Sequence, residues 1–317
     1  MTNPIVDLTP LSKPVTKLVE VVAQGIGALY KPVGTVLQAK ADAKARLILT
    51  EADIEVSELW RRAAQRLLYT EIERQKNLEA IIDKARAALP ERVREDPVPK
   101  DWITHFFTAA QDVNDEDMQL IWGRILAGEV AEPGNTSRRT LEFLKTLSKQ
   151  EAEMFVALLS VSFAEKQGWR FVVENSVTSR TLVEAFGGVD VERHMLDIGI
   201  LGAEPTLVPA SQTSAWRFSY GTLSLKFVGP PPPPRTPKLG LQTLEHKLFI
   251  RLFSAIGQEL SRVARQEVRE GFVAHLSDSI QKQIRVRIEA DDGEPSAALN
   301  GGPGMSHGNS GVSEGPP

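Results

Sequence analysis

The sequence predicts a mainly α protein: a long N-terminal helical arm, a helical core, a C-terminal winged-helix-like α+β domain and a terminal helix. Three observations lead there. No glycine or proline interrupts residues 39–89, which are dominated by Ala, Leu, Glu, Arg and Lys, the strong helix formers. Residues 100–167 hold a series of helix-capping residues, each followed by an apolar run at helical spacing. Around and after Gly168 the order is helix, strand, helix, helix and then strands joined by a polar loop, which is the order of a winged helix.

Taken along the chain, residues 1–14 carry Pro4, Pro10 and Pro14 and read as an irregular leader. Over residues 15–38 the apolar side chains Leu18, Val22, Ile26, Leu29 and Val33 recur at helical spacing, while Gly25, Gly27, Pro32 and Gly34 weaken and kink that helix. Two readings stand: a helix packed on the protein's own core, or an amphipathic segment that lies on a membrane surface through Leu18, Val22, Ile26 and Leu29. It does not span a bilayer, because the uncharged run Val21–Tyr30 is about half of the ~20 residues a crossing needs.

The segment 39–89 carries an apolar stripe through Ile48, Ala52, Val56, Leu59, Ala63 and Leu67 that drifts to Leu68, Ile72 and Ile82. Asp42–Arg46 and Glu58–Arg62 are spaced for pairing along the helix. The segment forms one rod of about 75 Å at 1.5 Å per residue, or breaks once into a hairpin. Such a rod needs something along its stripe, so self-association or a protein partner is expected, with Leu59, Leu67 and Ile72 as contact residues.

Pro90, Pro97 and Pro99 punctuate the link to the helical core of residues 100–167. Trp102–Val113 reads as one helix. Asn114 or Asp115 caps the next, which ends near Gly128 before the Pro133-Gly134 turn. Thr136 or Ser137 caps a short helix, and Ser148 opens another with Glu151 in the capping-box position. Residues 168–229 form the winged-helix-like domain: a strand at 169–174, helices at 177–186 and 189–198 split by Gly187-Gly188, and strands at 206–208, 216–220 and 223–228. The five prolines Pro230–Pro234 make a stiff spacer over 230–238. Thr243 caps a terminal helix within 239–289, with Leu244, Leu248, Leu252, Ile256 and Leu260 on one face. Residues 290–317, rich in Gly, Pro, Ser and Asn, read as a disordered tail.

Composition removes several function classes. There are 37 Lys+Arg against 41 Asp+Glu, so the chain as a whole is not a basic nucleic-acid binder. Cysteine is absent, which removes disulfides, thiolate catalysis and Cys-based metal sites. No phosphate-binding glycine loop and no G-x-S-x-G elbow is present, and the five histidines are scattered. The carboxylates Asp112, Asp115, Glu116 and Asp117 have the residue types of a Mg²⁺ site, but a helix cap and first turn account for them without chemistry. No catalytic residue, metal or cofactor is assigned.

Nucleic-acid binding by the winged-helix-like region would need Arg180 and Arg217 to meet in space. The helix that would enter the groove, Val189–Ile198, carries Asp190, Glu192 and Asp197 against Arg193, which suits protein better than phosphate. The expectation is a non-enzymatic interaction or scaffold protein, cytoplasmic or peripheral at the inner membrane face. A membrane-associated effector using residues 15–38 and a nucleic-acid-binding regulator are the alternatives.

Several stretches resemble a family of uncharacterised bacterial proteins, domain of unknown function 2806. They are Ala64–Glu71 with Arg74–Asn77, Asp112–Gln119 with Ile121–Glu129, Pro133-Gly134, Ser137 and Leu144–Ser148. The likeness runs from about Ala39 to Leu260. In its last block Phe253 and Ser254 depart from the expected L-T, whereas Gly257, Glu259 and Leu260 agree. The resemblance implies a bacterial protein with no established activity. A fainter likeness, to abortive-infection alpha proteins, implies phage defence.

Overall fold

The structure is a computed structural model that describes residues 12–26, 54–165, 168–210, 216–229 and 247–291. Among the described residues six helices come first: α1 (Lys13–Ile26), α2 (Ile54–Ala88), α3 (Lys100–Ala110), α4 (Glu116–Ala131), α5 (Arg138–Thr146) and α6 (Lys149–Leu159). Then follow β1 (Phe163–Glu165), β2 (Arg170–Val173), α7 (Ser176–Ala185), α8 (Val191–Asp197), β3 (Thr206–Pro209), β4 (Arg217–Tyr220), β5 (Leu223–Val228), β6 (Lys247–Leu252), α9 (Ala255–Val263), α10 (Phe272–Ile284) and β7 (Arg287–Ala290).

The helix starts obey the capping chemistry read from the sequence. The Asp115 side chain accepts from the backbone N–H groups of Asp117 and Met118 at the head of α4. Ser137 caps α5, and Ser148 with Glu151 closes a reciprocal capping box on α6. The end of α4 differs from expectation. Gly128 does not stop the helix, which runs on to Ala131 because Val130 is buried there.

The expectation of a mainly α fold with a winged-helix-like domain is corrected. The seven strands form one antiparallel sheet in the order β3-β6-β2-β1-β4-β5-β7, so the fold is mixed α/β. This sheet draws β1 from the end of the expected helical core and β6 and β7 from the expected terminal helix. The reason lies in the spacing. Leu248, Leu252, Ile256 and Leu260 recur every four residues, a multiple of two and close to one helical turn, so the same pattern serves strand and helix. Residues 247–252 take the strand: Leu248 and Ile250 are buried, Phe249 between them faces out, and β6 pairs with both β2 and β3. Helix resumes only at Ala255, where Ser254 caps α9. Thr243, Leu244 and the 230–238 spacer lie outside the described residues.

One core runs through helices and sheet. On the sheet side Phe163 meets Phe171, Phe218, Tyr220 and Phe272 with ring centroids 5.2–6.2 Å apart. The buried Tyr220 hydroxyl donates to Ser160 O at 2.7 Å and accepts from Arg269 N–H at 2.9 Å, so its polar end is satisfied. On the helical side Trp102 stacks on Phe106, which sits edge-on to Trp122.

Helix α1 belongs to this core. Leu18 and Val22, the residues offered for membrane contact, are 2% and 0% exposed and pack into the apolar interior, and Ile26 is half-buried against it. A Cβ on Gly25 would overlap the Phe107 ring, so that glycine serves the close approach of α1 to α3. The described part of the segment therefore keeps its apolar face for the protein, and Leu29 lies outside the described residues. No helix among the described residues is long and apolar enough to cross a membrane.

Close approach also governs α9. A Cβ on Gly257 would overlap the carbonyl oxygen of Ile200, part of the backbone and unable to swing aside. Gly257→Ala is expected to lower stability by about 1–3 kcal/mol, the usual cost of overpacking, read as a fall in the urea midpoint at unchanged slope.

Candidate interaction surface

Helix α2 is longer than the layer it packs on. Its C-terminal half lies along α4, where Leu78, Ile81, Ile82 and Ala85 are buried. The contact is close because of Gly123: a Cβ there would stand 2.8 Å from Lys84 Cβ and 3.0 Å from both Ala85 N and Ile81 O. Polar ties fix the point where the contact begins. Asn77 donates from Nδ2 to Gln111 O and to Asn114 Oδ1, each at 3.0 Å. Gln119 Nε2 donates to Asn77 Oδ1 at 3.3 Å and to Val113 O at 2.9 Å. Arg74 Nε donates to Asp112 Oδ1 at 2.7 Å while its Nη1 reaches Glu71 at 2.9 Å.

N-terminal to Arg74 the helix extends past these partners. Leu59, Trp60, Leu67 and Tyr69 are 66%, 65%, 64% and 68% exposed. Ile72 is half-buried at the root. The structure thus leaves two of the three expected contact residues open to a partner and draws the third towards the root. At 3.6 residues per turn, Leu67 lies three turns before Leu78 and five before Ala85. The stripe Leu59, Ala63, Leu67, exposed at both leucines and half-buried at Ala63, is therefore the same face of the helix that is buried further on. Trp60, missed from the sequence, borders that stripe. The sequence signal was there, since its i+7 neighbour is Leu67, but spacing alone does not tell a covered Trp from an open one.

The charges on this length are only partly paired. Glu58 meets Arg61 at 3.0 Å, whereas Arg62, expected to pair with it, reaches only the Glu58 backbone oxygen at 3.4 Å. The acidic group at the root serves structure. Asp112 holds Arg74, and Lys149 lies 3.4 Å from Asp115 and 2.6 Å from Asp117. The N–H of Met118 is the main cause that lowers the Asp115 pKa, with Lys149 adding to it. Among the described residues no group of three or more His, Asp or Glu is placed to hold a metal.

The two nucleic-acid candidates lie on different elements. Arg217 on β4 pairs with Asp291 at 3.1 Å, and Arg180 is exposed on α7, which packs chiefly on α6, α8 and α10.

Many motif residues that carry the family resemblance converge elsewhere, on the loop between α4 and α5. Glu129 is fully buried, and its carboxylate accepts from Gly134 N–H at 2.6 Å and Thr136 N–H at 3.0 Å. Gly134 has a φ of 88°, a backbone that favours glycine. Glu259 of α9 accepts from Ser137 N–H at 2.7 Å, and Trp102 donates from Nε1 to Thr136 O at 2.8 Å. This arrangement satisfies backbone groups in a loop, so its residues hold the fold together. Burial raises the Glu129 pKa above the ordinary carboxylate value, against the lowering effect of the loop N–H groups.

Fold and surface together define a mixed α/β domain with a projecting helical arm. Residues 61–187 match the family model described as "Protein of unknown function (DUF2806)". No curated protein and no solved structure matches the chain. The likeness to abortive-infection proteins gains no support from these comparisons, and the block Phe253–Leu260 lies beyond the matched residues.

Glu129→Gln keeps the shape but turns one acceptor into a donor, and should cost about 1–3 kcal/mol. The raised pKa means that the Glu129 contribution is largest below the unfolded carboxylate value and shrinks as pH rises through the folded one. Urea titrations should therefore show a wider gap between wild type and variant at mildly acidic than at neutral pH.

Proposed function

We propose that this is a non-enzymatic interaction or scaffold protein that docks on another protein through the exposed N-terminal length of α2. The carrying observation is that one apolar stripe of a single helix is buried against α4 in its second half and open in its first. Burying a leucine fully contributes about 1.5–3 kcal/mol, so Leu59 and Leu67 left in water are an unspent driving force. Trp60 and Tyr69 add the large amphipathic side chains that dominate the energetics of protein interfaces. The polar ties at Asn77, Gln119 and Arg74 aim the arm, so that a partner meets it in a fixed direction.

The test is site-specific photo-crosslinking in the native host, with the full chain carrying a photoreactive amino acid at position 60, 69 or, as control, 184 on α7. Discrete adducts heavier than the chain are expected from positions 60 and 69 and not from 184. The same pattern from all three positions, or no adduct from any, would overturn the reading. Adducts with another protein or with a second copy both satisfy it.

A further inference from the structure

The flank of the open stripe carries a charge that narrows the partner, and this inference rests on the docking reading above. Arg62 and Arg66 stand one helical turn apart on the same side of Leu59, Ala63 and Leu67. Neither makes an ion pair among the described residues: the Glu58 carboxylate is taken by Arg61, and Glu71 by Arg74. The stripe thus has apolar residues at its centre and, along one edge, two guanidinium groups with no ion-pair partner among the described residues. An apolar centre of this kind fits a protein helix better than a phosphate backbone, which would need base on both sides.

A second copy of the arm fits poorly. In an antiparallel pair the same flanks face each other, which places Arg62 and Arg66 of both arms together near the middle of the contact. In a parallel pair the two bodies collide, because α4 already occupies the continuation of the same face. We propose that the free length of α2 binds an amphipathic helix of another protein, seated on Leu59, Trp60, Ala63 and Leu67, with acidic side chains beside its apolar stripe set against Arg62 and Arg66. That helix takes the lane that α4 fills further along α2. The small Ala63, between larger neighbours, receives its bulky side chains.

The test uses the full chain and designed fluorescent peptides of about four helical turns with one leucine stripe, flanked by glutamate or by lysine. Anisotropy titration should show the glutamate peptide binding about tenfold tighter, the size that two flank pairs give when attraction in one peptide is set against repulsion in the other, and the gap should shrink in salt. Arg62→Glu with Arg66→Glu should reverse the preference, and Leu59→Asp with Leu67→Asp should abolish binding of both peptides. These side chains are exposed, so unchanged thermal melting confirms that the variants fold. Equal binding of the two peptides, or none, would overturn the inference. Light scattering gives the second arm of the test. A dimer that Leu67→Asp dissociates would show that a second copy fills the lane, which overturns the inference and leaves the docking reading standing.

Discussion

The contact between α2 and α4 sets most of what this molecule offers to its surroundings. Gly123 lets the two backbones come close, and Asn77 and Gln119 pin the level at which the contact starts. Without the glycine, the lane along Ile81 and Ala85 would be too shallow for α4. The amide pair, with the Arg74–Asp112 ion pair, fixes where along the apolar stripe α4 begins. The polar residues thus choose a register that the apolar ones alone leave free, and so decide which half of the stripe is core and which half is surface.

A second constraint joins the N-terminal helices to α9, the helix that follows β6. Glu129 and Glu259 approach the α4–α5 loop from two helices and accept its backbone N–H groups, and Trp102 supplies a donor to the same loop. Burying Glu129 runs against its solvation, as its raised pKa shows, and the loop N–H groups offset part of that cost. Arg262 reinforces the join by donating to Asn135 Oδ1 at 2.9 Å. Residues that carry the family resemblance, Glu129 and Gly134 among them, are therefore engaged in holding a turn.

Local chemistry was legible where it is strictly local. The caps at Asp115, Ser137 and Ser148, the helices at α7 and α8 and the strand at β2 follow from residue types and spacing over a few positions. The sheet was not legible as a whole. The inner strand β6 and the edge strand β7 pair across long separations, and the four-residue spacing of Leu248, Leu252, Ile256 and Leu260 suits either periodicity. The face of α1 was ambiguous for a related reason: Leu18 and Val22 would read alike against lipid or protein, and only the position of Phe107 opposite Gly25 decides. Leu59 and Leu67 were visible as a stripe, but its exposure depends on where α4 starts, which the sequence of α2 does not contain.

The open length of α2 also has a thermal character of its own. A free helix of so few turns is marginal in water, because its first turn must fix several residues for one hydrogen bond. Here the packed turns around Asn77 and Ile81 supply that nucleus, and the arm grows from it by propagation alone. Each further turn towards Leu59 is held by little more than its own hydrogen bonds and pairs such as Glu58–Arg61. The reach of the arm is then a statistical quantity that lengthens on cooling and shortens on warming. A ligand that grips its far end would be reading how much of the zipper is closed.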